Sequence, residues 1–280
     1  MVAKWRRSSF TARRGRRNVR TRSGRVTFVI GVVGRQGSGR GIVPTDMLSP
    51  SGQMQLVLRS IQIAMFLALG GAAVAGEDGQ AAYDRKDYAT ALKLWRPLAE
   101  QGDAAAQADL GYVYQTGRGV EREQAEAIKW YRRAADQGNA SAQNNLGVSY
   151  EHGRGVPRDY AAAADWFRKA AGQGNAMAQY NLGFMYDTGI GVALDQDEAA
   201  KWYRKAANQG DAVAQSNLGA LYARGYGVPR DYVQAYMWSS LAAARGDRYA
   251  LKNRNFIAKA MTPDQIAEAQ RLTLEWKPAK

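Results

Sequence analysis

Residues 138–173 read Gly138-Asn-Ala-Ser-Ala-Gln143-Asn-Asn-Leu146-Gly147-Val-Ser-Tyr150-Glu-His-Gly153-Arg-Gly155-Val156-Pro-Arg-Asp159-Tyr-Ala-Ala-Ala-Ala-Asp-Trp166-Phe-Arg-Lys-Ala-Ala-Gly-Gln173, and the pattern then begins again. Gly102, Gly138, Gly174, Gly210 and Gly246 stand 36 residues apart. Gln107, Gln143, Gln179 and Gln215 keep that spacing, as do Leu110-Gly111, Leu146-Gly147, Leu182-Gly183 and Leu218-Gly219. Tyr114, Tyr150, Tyr186 and Tyr222 follow, each before a Gly-x-Gly-Val, and then Trp130, Trp166, Trp202 and Trp238. Four units run over 102–245 without an insertion. A fixed period of this length is the mark of a stacked repeat array.

Each unit reads as two helices. In the first, Asp or Asn caps the N-terminus by accepting orphan backbone N–H bonds. Ala142, Leu146 and Tyr150, four residues apart, make one apolar face. Gly147 sits inside this helix, where glycine costs about 1 kcal/mol relative to alanine, so its recurrence implies a close helix crossing. The Gly-x-Gly-Val loop ends the helix, supplies positive-φ positions and returns a valine to the core. The second helix runs from Asp159 through Trp166 to Ala170-Ala171. The recurring tryptophans are expected in the core between helices. The tyrosines are expected there too, with their hydroxyls on polar partners.

This pattern resembles the Sel-one-like repeat (SLR), a relative of the tetratricopeptide repeat. The resemblance covers 102–245 as four units, with atypical ends as capping requires. Residues 76–101 look like a half-unit cap in which Leu94 takes the tryptophan place and Trp95 the place after it. Residues 246–280 look like C-terminal capping helices, with Arg254-Asn255 where Leu-Gly stands elsewhere and a capping box at Thr262–Gln265. The resemblance implies an all-α fold, an α/α solenoid wound as a right-handed superhelix of 36-residue helix-turn-helix repeats, with first helices on the concave face. It further implies a non-enzymatic protein-interaction scaffold or regulatory adaptor, of a kind common in bacterial envelopes. Cysteine-rich members that bind β-lactams are no guide here, because this chain has no cysteine.

Composition narrows the chemistry. The 280 residues hold no Cys and one His, His152, a lone imidazole that reads as surface decoration. Disulfides, thiol nucleophiles and multi-His metal sites are excluded, and no metal or cofactor is expected. The net charge of +14 is uneven. Residues 1–53 carry 12 Lys/Arg against one acidic residue, Asp46, whereas residues 76–280 are almost neutral. The basic arm lacks helical or strand periodicity and is expected to be disordered. Its Gly34–Gly41 run lacks the Lys-Ser/Thr of a phosphate-binding loop. No nucleic-acid partner is expected of the repeats, and the arm would serve one only if it is translated and retained.

Residues 54–75 have the form of a signal peptide: Arg59 in a short basic region, the apolar run Ile61–Leu69, and small residues ending Ala73-Val74-Ala75. A signal belongs at the start of a chain, so Met54 or Met47 is expected to be the true start and 1–53 a start assigned too early. The alternative is a retained membrane anchor, although the uncharged run Ser60–Gly76 is shorter than the ~20 apolar residues of a spanning helix. Both readings take the repeats out of the cytoplasm, to the periplasm or beyond.

No nucleophile–base–orienter set stands apart from the repeat. An envelope hydrolase, with carboxylates such as Asp165 and Asp187 converging in space, is the alternative function. The positions that vary between units are more informative. On the first helices they form a stripe at spacing 3, 4 and 7: Ala105/Ala108/Tyr112, Ser141/Asn144/Val148, Met177/Tyr180/Phe184 and Val213/Ser216/Ala220. The constant face packs and the varying stripe is free to select a protein or peptide partner. Met177, Tyr180 and Phe184 are its largest apolar group. Tyr112 and Asn144 lie on the stripe. Asn145, Asn181 and Asn217, with Asp109, adjoin it and fit either a peptide clamp or a bond between repeats. The paired cations Arg132-Arg133, Arg168-Lys169 and Arg204-Lys205 read as a solvated convex face.

The exported protein is expected to begin at Gly76. N-terminal sequencing checks this, and a mature N-terminus upstream of Ile61 would contradict both the cleavage and the early-start reading.

Overall fold

The computed structural model describes residues 78–279; the basic arm and the 54–75 segment lie outside the described residues. Those described form twelve helices: α1 (78–84), α2 (Tyr88–Glu100), α3 (Ala104–Thr116), α4 (Gln124–Asp136), α5 (Ala140–His152), α6 (Tyr160–Gly172), α7 (Ala176–Thr188), α8 (Gln196–Asn208), α9 (Ala212–Arg224), α10 (Tyr232–Ala244), α11 (Arg248–Ala258) and α12 (Pro263–Glu275). The fold is an all-α solenoid in which consecutive helices from α2 to α11 pack on one another and α12 packs on α10. No described helix is long and apolar enough to cross a membrane.

The repeat signals act as local instructions. Asp103, Asn139, Asn175 and Asp211 cap α3, α5, α7 and α9, each accepting from the amide three residues on at 2.7–2.9 Å. Gly117, Gly153, Gly189 and Gly225 end the same helices in the left-handed region. Asp159, Asp195 and Asp231 cap α6, α8 and α10. Glu123 breaks the series and makes no side-chain cap bond to α4. Thirteen-residue helices are marginal alone, so the stack depends on packing.

That packing centres on one contact. A Cβ built on Gly111, Gly147 or Gly183 would stand 2.5, 2.5 or 2.8 Å from the ring of Tyr131, Phe167 or Tyr203. The missing side chain on the first helix is the socket for the aromatic ring of the second. All three rings are fully buried. This corrects the expectation for the tryptophans. Trp130 and Trp238 are buried, but Trp166 and Trp202 are half-buried, and the ring that closes each unit is the residue after the tryptophan. Successive helical residues point about 100° apart, so only one of the two meets the glycine.

The tyrosines 114, 150, 186 and 222 are likewise half-buried. Their hydroxyls meet cations 18 residues upstream: Arg96 to Tyr114 (2.9 Å), Arg132 to Tyr150 (2.6 Å), Arg204 to Tyr222 (2.8 Å), with Arg168 against Tyr186. The second member of each basic pair covers a tryptophan, with Lys169 and Lys205 Nζ 3.9 Å from the rings of Trp166 and Trp202. The paired cations are exposed except for the half-buried Arg204, and they also tie helices together.

Beyond neighbours in sequence, α3 touches α5, α9 touches α11 and α10 touches α12. At the N-terminal end Ala82 of α1 joins Leu92 and Trp95 of α2 in one cluster. At the C-terminal end α12 folds back on α10. Leu272 and Trp276 pack on the cluster that holds Trp238, and the Ala279 N–H reaches the Asn208 carbonyl (2.7 Å).

Phe167→Ala is expected to cost about 3–5 kcal/mol, and Trp166→Ala clearly less. Gly147→Ala should cost about 1–3 kcal/mol by overpacking the ring. Thermal unfolding of the three variants ranks them, and Trp166→Ala as the most destabilised would reverse the assignment.

Candidate functional site

The side chains that the stack itself consumes must be set aside before a free surface can be identified. The buried glutamines are consumed. Gln107, Gln143, Gln179 and Gln215 donate from Nε2 to the carbonyls of Ala99, Ala135, Ala171 and Ala207 at 2.9–3.2 Å. Their Oε1 atoms accept from the next unit, from Gln137 (2.8 Å), Gln173 (2.7 Å), Gln209 (2.8 Å) and Arg245 (3.3 Å). Each amide thus links three helices, which a buried polar group needs to offset its lost hydration.

The asparagines beside the stripe are engaged as well. Asn145 and Asn217 stand against the hydroxyls of Tyr131 and Tyr203, which also meet Gln115 (2.9 Å) and Asp187 (3.4 Å). Burial pushes both tyrosine pKa values up. In the unit between them Phe167 offers no hydroxyl, and Asn181 donates instead to Asn144 Oδ1 (3.1 Å). Asn144 is itself buried. Of the two sequence readings for this series, a bond within the stack is what the geometry displays.

Asp109 is the acidic member of the series. Its partly buried carboxyl faces no cation. Burial pushes its pKa up to about 6, and the charge of Asp103 adds to the shift.

The stripe divides by depth. The position after which Asn144 is numbered is closed: Ala108, Asn144 and Ser216 are buried, and Tyr180 is half-buried 6.0 Å from the Tyr203 ring. Tyr180 and Phe184 both pack against the cluster around Tyr203 and Leu218, so the stack does use their bulk. The outermost position is open. It carries Ala105, Ser141, Met177 and Val213, with Met177 57% and Val213 47% exposed. The same register continues into α11 at Tyr249, 77% exposed, and the register of Tyr112, Phe184 and Ala220 reaches α11 at Phe256, 75% exposed. Tyr112 is 39% exposed, with the Arg118 guanidinium 5.7 Å from its ring. Met177, Val213, Tyr249 and Phe256 therefore form an open apolar strip on α7, α9 and α11. Tyr249 and Phe256 escape a reading that treats α11 only as a cap. The signal that finds them is the period, since they stand 36 residues beyond Val213 and Ala220.

Among the described residues no three His, Asp or Glu side chains converge as a metal site. His152 is exposed beside Glu151 (3.8 Å).

The Sel1 repeat family model matches residues 67–103, 104–139, 140–175, 176–211 and 212–247, so the chain belongs to the Sel1 repeat family. Its members are generally protein-interaction scaffolds. The first match adds a fifth unit, which takes in α1, α2 and residues before those described. Among solved structures the chain is similar to a protective antigen present in uropathogenic Escherichia coli strains displaying an SLR fold, at 35% identity and TM-score 0.64, covering 75% of this chain and 47% of that one. It thus spans about half the length of that relative. It is also similar to a Sel1 repeat protein from Oxalobacter formigenes, at 33% identity and TM-score 0.60, covering 73% of this chain and 86% of that one. No curated protein matches the chain significantly.

Asp109 generates a pH prediction. The unfolded chain releases its proton near the ordinary value of 3.8, the folded chain only near 6. Between these values the folded state holds more protons, so this group's contribution to stability falls as pH rises from about 4 to about 6. Asp109→Asn, the residue of the other units, should flatten that slope and raise stability at pH 7 by about 1–3 kcal/mol. Melting temperatures from pH 4 to 8 check it; an unchanged pH slope would place the carboxyl in solvent.

Proposed function

We propose that this Sel1 repeat protein is a non-enzymatic scaffold or adaptor of the bacterial envelope, periplasmic or secreted, that binds a protein or peptide partner along the inner face of its first helices. The observation that carries the reading is the open strip of Met177, Val213, Tyr249 and Phe256. The stack meets its own needs at neighbouring register positions, through the glycine–ring contacts and the glutamine bonds. It gains nothing from large apolar side chains in water. Such groups gain free energy only when a partner covers them, and exposed aromatics are the usual anchors of interfaces. Tyr180 and Phe184 support the strip from beneath, and Tyr112 offers a separate anchor at the N-terminal end. Neither nucleic acid nor a cofactor is needed. The form of residues 54–75 supports export, with a membrane role only if that segment is retained.

The test is capture of a partner from envelope extract, followed by affinity measurement. Met177→Asp with Tyr249→Asp should weaken binding at least about 30-fold, by the rule of ~1.4 kcal/mol per decade, at an unchanged melting temperature. Tyr180→Ala with Phe184→Ala should lower both, because those side chains also pack. Undiminished binding by the Asp double variant would contradict the reading.

A further inference from the structure

Ser239 breaks the rule that closes every preceding unit. Tyr131, Phe167 and Tyr203 put a ring against the helical glycine of their unit, and Ser239 stands in that register opposite Gly219. Its side chain is fully buried and its Oγ has no hydrogen-bond partner. At Gly219 a Cβ would meet Ser239 Oγ at 2.7 Å and then backbone, the Ala235 carbonyl oxygen at 3.1 Å and the Ser239 N at 3.2 Å. In the other units the nearest atoms to that Cβ all belong to the ring.

A cavity of about 260 Å³ lies between α9, α10 and α11. Its lining identifies it. In the preceding unit the Tyr203 hydroxyl donates to Asp187 and stands against Asn217. The residues 36 positions on from those two are Ala223 and Asn253, and both line the cavity, with Arg224 and Phe256 beside them. The opening is therefore the hydroxyl end of a tyrosine site whose tyrosine this unit does not supply. An apolar cavity of about 150 Å³ already admits benzene, so a phenol ring fits within this volume.

The surroundings select the ring's carrier. Arg224 lines the cavity, and Arg248 and Lys252 are exposed on α11, which has no acidic residue. Among the described residues none of these cations is in an ion pair within 4 Å, although the Arg224 charge does reach the Asp187 carboxylate. Tyr249, Lys252 and Phe256 share one face of α11, with the Lys252 Nζ 6.0 Å from the Tyr249 ring. Arg224 and Phe256 at the cavity, with the exposed cations of α11 on the neighbouring helix surface, complement a tyrosine flanked by carboxylates.

We propose that the α9–α11 cavity receives a tyrosine side chain from an acidic segment of the partner protein, which completes from outside the packing that Tyr131, Phe167 and Tyr203 supply from within. This rests on the scaffold reading and names the chemistry at one end of the strip.

Three peptides serve as probes against the full chain in isothermal titration: acetyl-Glu-Asp-Tyr-Asp-Glu-amide, the same peptide with Ala for Tyr, and acetyl-Lys-Lys-Tyr-Lys-Lys-amide. The acidic tyrosine peptide should bind at least tenfold more tightly than either other. Ala223→Leu, which fills the cavity, should weaken it at least tenfold at an unchanged melting temperature. Ala220→Phe, which copies Phe184 of the preceding unit, is the second closing variant and should do the same. No binding by any peptide, equal binding of the Tyr and Ala peptides, or undiminished binding to a folded closing variant would overturn the proposal. A captured partner that needs Met177 and Tyr249 but ignores Ala223→Leu overturns the cavity alone and leaves the scaffold reading standing. Loss of that dependence, with the peptide result intact, does the reverse.

Discussion

The absence of a side chain at one helical position holds this molecule together. Gly147 accepts the ring of Phe167, and its equivalents accept Tyr131 and Tyr203. The glycine is unfavourable within its own helix, by about 1 kcal/mol. The burial of a whole aromatic ring outweighs that cost several-fold. Everything else is arranged around this approach. Two thirteen-residue helices come close enough for their alanines to interlock. The caps and left-handed glycines keep each helix to the length that puts glycine and ring at one level. The glutamines then fix each unit's height against the next, because their amides have no other partners in the buried space.

Such a scheme leaves a sharp division of labour. Dispersion and hydrogen bonds are satisfied at the constant positions, so the varying positions are released from the fold. Their depth decides what they do with that release. Asn144 and Asn181 lie deep enough to bond each other. Tyr180 and Phe184 are half-covered and thicken the stack. Met177, Val213, Tyr249 and Phe256 lie outermost, in water. The C-terminal unit extends this by withholding an internal ring, and there α12 folds back so that Trp276 packs against Trp238.

Much of this was legible in sequence. The eight helices α3–α10 follow from caps, glycines and apolar spacing, and the capping box at Thr262 forms as read. The close crossing at Gly147 could be inferred from the cost of glycine alone. The identity of the ring that fills it could not. Trp166 and Phe167 are adjacent aromatics, and only the rotation of α6 about its axis decides which is covered. The same limit applies to the asparagines, whose partners depend on whether the ring in their unit bears a hydroxyl. Tyr249 and Phe256 were obscured because α11 lacks the Leu-Gly pair. The cavity was obscured because Ser239 is one small residue whose effect shows only when three helices meet. The 54–75 segment is read from sequence alone.

The central claim is that the inner strip of the first helices is where a partner sits and that the second helices serve the stack. Hydrogen exchange of the full chain, with and without its captured partner, tests this most directly. The account predicts added protection along α7, α9 and α11, centred near Met177, Val213 and Tyr249, and none along α4, α6 and α8. Protection confined to the second helices would contradict it.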